Sequence, residues 1–138
     1  MSIYALKGRF QDLLRPGVRA LARGGVTANQ VTLLAALVSL LVAFVVWQRG
    51  PAQPLLYGLL PAWMLLRMAL NAVDGMLARE FGQKAPLGAY LNELSDVVAD
   101  AALYLSLLSL PGMPPFVLWT MVLRHAFALD GYIGQIAL

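Results

Sequence analysis

Cysteine is absent from this 138-residue chain, and histidine occurs once. No disulfide framework, thiol nucleophile or Cys/His zinc site is therefore available. Charge is scarce as well. Asp, Glu, Lys and Arg make up 12% of the residues, about half the roughly 25% of an ordinary soluble domain. A soluble fold needs a polar shell, and these residues are too few to supply one. The formal charge is only +3, and the early basic residues are interleaved with apolar ones. That pattern suits contact with membrane lipids and gives no nucleic-acid site. What remains is hydrophobic, at 60% of the chain. The expected fold class is all-α: a polytopic helical membrane protein forming a single domain.

The first 26 residues form a juxtamembrane segment. Ile3, Leu6, Phe10, Leu13, Leu14, Val18 and Leu21 recur at helical spacing. Lys7, Arg9, Arg15, Arg19 and Arg23 supply positive charge beside them. The segment reads as an amphipathic helix on the membrane surface, or as a plain basic tail, with Pro16 expected to break or kink it. A short basic region followed by a long apolar run, the mark of a cleaved signal, is missing.

Residues 27–138 are expected to hold about four transmembrane helices. The spans run from Val31 to Trp47, Leu55 to Leu70, Leu87 to Leu110 and Phe116 to Leu129. Thr27 or Asn29 is placed to cap the first. Arg67 lies inside the second, one turn before Asn71; it can lean toward the acidic cluster or snorkel to the headgroups, and snorkelling is the favoured expectation. Arg124 and His125 lie in the fourth, and the histidine suits packing better than metal ligation. Five basic residues precede the first span against one acid, Asp12. The positive-inside rule then puts the N-terminus in the cytoplasm of a cell whose inner membrane the chain crosses. The connection after the second span faces the same side.

That connection is where the acids are. Asp74, Glu80, Glu93, Asp96 and Asp100 are five of the seven in the chain. Carboxylates between apolar spans are costly and mark functional sites. Asn71 and Asp74 are three apart and share a helix face. Asn92, Asp96 and Asp100 are four apart and share another. Two such faces joined by a Gly- and Pro-containing turn can converge on a hard cation such as Mg²⁺. Gly75 and Ala78 leave room for a close approach. Arg79 can offer a fork of donors to phosphate.

Asn71-x-x-Asp74-Gly75-x-x-Ala78-Arg79, then Gly88, Asn92 and Asp96, resembles the pattern of the CDP-alcohol phosphotransferases. That pattern is D-x-x-D-G-x-x-A-R-x8-G-x3-D-x3-D. Six of its eight positions match; Asn71 and Asn92 replace the first and third aspartates. Thr27, Asn29 and Thr32 also resemble the segment that opens the family's first membrane helix near the nucleotide. Capping explains them equally well. The resemblance implies transfer of a phospho-alcohol group from a CDP-linked lipid donor to an alcohol acceptor, with release of CMP. It implies Mg or Mn as cofactor, with Asn71, Asp74, Asn92 and Asp96 as ligands and Asp100 as an auxiliary. Asp96 is also the implied catalytic base. Gly75, Ala78, Arg79, Gly88 and Asn29 are implied contacts of the CDP moiety. With two charged ligands gone, one tightly held ion is expected instead of two. The family also implies a homodimer and six membrane helices, so the chain reads as a shortened member or a fragment.

Three functions compete on these residues. The first is a phosphotransferase of phospholipid biosynthesis. The second is a relative that binds CDP-lipid or metal without turnover. The third is a small membrane subunit whose carboxylates conduct ions or protons. A conducting carboxylate needs neither the D-G-x-x-A-R order nor Gly88, which favours the first.

Overall fold

The computed structural model describes residues 3–116 and 119–123. Helix is the only regular structure among these residues, as the composition leads one to expect. Four long helices follow in order: α1, Ile3–Arg23; α2, Ala28–Arg49; α3, Leu59–Glu80; and α4, Pro86–Ser106. Short 3-10 turns at Pro54–Gly58 and Leu107–Ser109 precede α3 and follow α4. Most of the expected fourth span, with Arg124 and His125, lies outside the described residues.

α2 is the centre of the assembly. α3 and α4 each pack along it, and they approach one another far less closely. The residues that α2 buries are small or branched: Val31, and the series Ala28, Thr32, Ala35, Ser39, Ala43 and Val46. Members of that series recur every three or four positions, so they form one stripe. Small side chains let neighbouring helices come close. The large side chains point the other way. Leu34, Leu37, Leu41 and Phe44 are all exposed. A soluble helix bundle has the reverse arrangement; an apolar outer surface suits lipid. α2 and the segment Pro54–Glu80 are long and apolar enough to cross a membrane. α4 is of similar length, but it carries Glu93, Asp96 and Asp100.

Two apolar clusters hold the helices together. Val18 of α1 joins Ala28, Val31, Val73, Met76 and Leu77 at one end. Ala43, Val46, Leu60 and Leu103 form the other. Between them the Trp63 indole N–H donates to Ser39 Oγ at 2.8 Å. Ser39→Ala orphans that half-buried donor. A loss of about 1–3 kcal/mol is expected, measured as a lower unfolding midpoint in detergent with unchanged helix content.

Several boundaries differ from the sequence expectation. α3 starts four residues later than expected and runs ten further, so the motif through Arg79 is helical. α1 is unbroken at Pro16. One missing N–H removes a single rung, and the apolar contacts of Leu14 and Val18 hold the turns on either side. Arg15 also ties α1 to the end of α3 by an ion pair with Glu80 at 3.4 Å. The chain then reverses at Gly82, whose φ of 69° places it in the region that only glycine enters without strain. That turn delivers Pro86 to the first turn of α4, where its fixed φ suits helix initiation.

Candidate active site

The helix ends near this turn surround an open cavity of about 540 Å³. α2 contributes Asn29 and Thr32. α3 contributes Asp74, Gly75, Ala78 and Arg79. The turn adds Gln83 and Lys84, and α4 adds Gly88 and Asn92. The volume lies within the range of small-ligand sites. Among the described lining residues Asp74 is the only carboxylate, set against two cations, Arg79 and Lys84.

Thr27 resolves the choice of cap. Its hydroxyl accepts from Gln30 N at 3.2 Å, and Gln30 Oε1 accepts from Thr27 N at 3.0 Å. This reciprocal box leaves the Asn29 side chain for the cavity. There it meets Gly88. A Cβ added to Gly88 would stand 2.9 Å from Asn29 Oδ1. Gly75 is open for a similar reason. Arg79 folds back over it, with Nε donating to Gly75 O at 3.0 Å. A Cβ there would come within 3.2 Å of Arg79 Nη2.

The oxygens of the cavity converge. Thr32 Oγ1 lies 2.7 Å from Asp74 Oδ2, 3.4 Å from Asn92 Oδ1 and 3.1 Å from Ala28 O. One hydroxyl proton faces three acceptors; Ala28 O is already in the α2 ladder, so it is oxygens of Asp74 and Asn92 that are left for another donor or a cation. Asp74 is buried, with 5% exposure. Gln83 holds this end of α2 in place. Its Oε1 accepts from Ala28 N at 2.7 Å, satisfying an N–H left open by the helix start. Its neighbours in sequence carry no mark of this role, because the contact spans 55 positions.

Asn71, Asp96 and Asp100 adjoin this cavity without lining it. They line a second, more apolar cavity of about 710 Å³, together with Glu93 and Arg67. Arg67 does not snorkel. It is 6% exposed. Its Nη2 donates to Asp96 Oδ1 at 2.6 Å and to Asp96 O at 3.1 Å, and its Nη1 donates to Asp100 Oδ1. The reason is helical phase. Arg67, Asn71 and Asp74 are four and three apart, so the guanidinium shares their inward face and meets α4. Asn71 Nδ2 donates to both Asp96 oxygens at 3.1 Å.

The motif therefore divides. Asp74, Gly75, Ala78, Arg79, Gly88 and Asn92 line the first cavity; Asn71 and Asp96 line the second. Among the described residues no group of three or more His, Cys, Asp or Glu side chains is placed to hold a metal. The surplus acceptors beside Thr32 fit one divalent ion at Asp74. The donors around Asp96 do not fit a second.

A CDP-alcohol phosphatidyltransferase family model matches residues 25–132. The chain belongs to that family. It is 51% identical over 111 residues to the inner membrane protein YnbA of Escherichia coli K12, covering 80% of this chain and 54% of the relative. It is 32% identical over 93 residues to an archaetidylinositol phosphate synthase of Pyrococcus horikoshii, covering 67% and 46%. The corresponding Aeropyrum pernix synthase is 34% identical over 74 residues, covering 46% and 38%. The chain thus spans about half the length of these relatives. No solved structure matches. The motif residues that line the first cavity are the place to test.

Gly88→Ala separates space from fold. The added methyl forces the Asn29 amide aside without touching the backbone. On the reading that this cavity takes a CDP moiety, proposed below, the expected result is a loss of cytidine-nucleotide affinity by about tenfold, near the 1.4 kcal/mol of one displaced polar contact. The unfolding midpoint should stay near that of the parent. Calorimetric titration with CMP and a thermal melt check the two halves.

Proposed function

We propose that this chain carries the donor site of an integral membrane CDP-alcohol phosphotransferase of phospholipid biosynthesis. It takes a CDP-linked lipid donor and an alcohol acceptor and releases CMP. The observation that carries this reading is the first cavity, where six of the eight motif positions meet at the ends of three helices. Four of the five basic residues of α1 lie among its exposed positions, which favours a cytoplasmic N-terminus and a cytoplasmic site in a multi-pass inner-membrane protein. A homodimer completes the proposed assembly.

In this reading Arg79 leaves Gly75 O and turns its fork toward the donor's phosphates. Lys84 adds positive charge at the rim. Asn29 and Gly88 shape the wall beside the cytidine. Asp74 and Asn92 would hold one Mg or Mn ion, which offsets the charge that grows on departing CMP. The acceptor oxygen attacks the phosphorus that bears the lipid alcohol. A new P–O bond forms, the P–O bond to CMP breaks, and the acceptor proton passes to Asp96.

The test is CMP release. Membranes containing the protein, given labelled CDP-diacylglycerol, Mg²⁺ and a panel of polyols, are expected to release CMP above vector controls and form a new lipid. One observation favours a second reading, binding without turnover: the Asp96 carboxylate is already engaged by Arg67 and Asn71. Thermal stabilisation by CDP-lipid with no CMP release would decide for it.

A further inference from the structure

The two asparagines of the motif do not act alone. An aspartate at position 71 would have no proton to give Asp96, and two carboxylates would face each other unless a cation lay between them. Asn71 removes that conflict by donating Nδ2 to both Asp96 oxygens. Arg67 supplies the cation. Its side chain is 8% exposed and bridges Asp96 and Asp100, whose side chains are 29% and 13% exposed. A buried arginine between helices persists only where carboxylates pair it. The planar fork spans both partners at once, which a point charge cannot do. The guanidinium offsets one of the two carboxylate charges it bridges, so Asp96 and Asp100 together keep a single net negative charge, with Glu93 lining the same cavity. That is little to draw a doubly charged ion out of its hydration shell.

We propose that Arg67 is the fixed counter-cation of the α3–α4 carboxylates and excludes a divalent ion from Asp96. The proposal rests on the reading that Asp74 holds one ion. Arg67 is then a positioning residue. It orients the Asp96 carboxylate and couples α3 to α4, two helices that otherwise touch little. The protein has one exchangeable cation and one built into its chain.

The test counts Mn²⁺ bound per full-length chain in detergent by electron paramagnetic resonance, with the metal alone as probe. The parent is expected to bind one ion. The double variant Asn71→Asp with Asn92→Asp, in which Arg67 is retained, should still bind one. Adding Arg67→Gln should raise the count to two. Two ions in the double variant, with Arg67 present, overturn the proposal and leave the Asp74 site intact. One ion in the triple variant, if it melts cooperatively, overturns it too. If the triple variant does not fold, the count in the double variant decides. A parent that binds no Mn²⁺ sinks the ion at Asp74, and the role of Arg67 falls with it.

Discussion

Asp74→Ala is expected to abolish divalent-ion binding while leaving the protein folded. Asp74 is the only carboxylate among the described residues that line the first cavity. Loss of a group that merely supports a metal ligand costs 10–100-fold in affinity, so loss of the ligand itself should exceed roughly 100-fold. The fold has little to lose. Thr32, which donates to Asp74, has Ala28 O within 3.1 Å as an alternative acceptor. Removing a buried carboxylate also removes its desolvation cost. Asp74→Asn sharpens the test because it keeps shape and one oxygen but drops the charge. Mn²⁺ titration should show the same loss in both variants, with CMP release falling in parallel. Parent-like Mn²⁺ binding by Asp74→Asn would show that the ion lies elsewhere.

Arg67→Met should have the largest effect on stability. It leaves Asp96 and Asp100 facing an apolar cavity without the guanidinium that bridges them. Breaking a buried pair from one side costs about 3–5 kcal/mol. The backbones of α3 and α4 approach little, and besides Arg67 the Asn71 amide also joins them at Asp96. The effect should lessen when one carboxylate is removed with the guanidinium. Arg67→Met/Asp100→Asn is expected to regain part of the loss, because only Asp96 then remains charged without its partner. Arg67→Lys should fall between parent and Arg67→Met: it keeps the charge but cannot reach both carboxylates. Unfolding midpoints of the parent, Arg67→Met, Asp100→Asn and the double variant in one detergent form the cycle. Equal midpoints for Arg67→Met and the parent would mean the bridge contributes nothing.

Much of the architecture was legible before any coordinates. Lack of charge and the long apolar runs pointed to membrane helices, and α2 and the segment Pro54–Glu80 are long and apolar enough to be two of them. Fixed spacings from Asn71 to Asp96 pointed to the family, which the family match confirms. Arg67 was misread because sequence shows the distance to a headgroup along the helix but not what the neighbouring helix presents. Gln83 went unnoticed because a turn glutamine looks alike whether it is solvated or, as here, bonded to Ala28 N. Thr27 and Asn29 were left as rivals for the cap; the reciprocal bonds with Gln30 assign Thr27 to it.

By itself the sequence determined the helical class, the lipid-facing composition and the family, because these depend on hydrophobic runs and on spacings within single helices. Only the tertiary structure decided which motif residues share a cavity and that Asp96 faces a guanidinium. Those facts depend on how α3 and α4 are rotated about α2, and that rotation is set by contacts between residues distant in the chain.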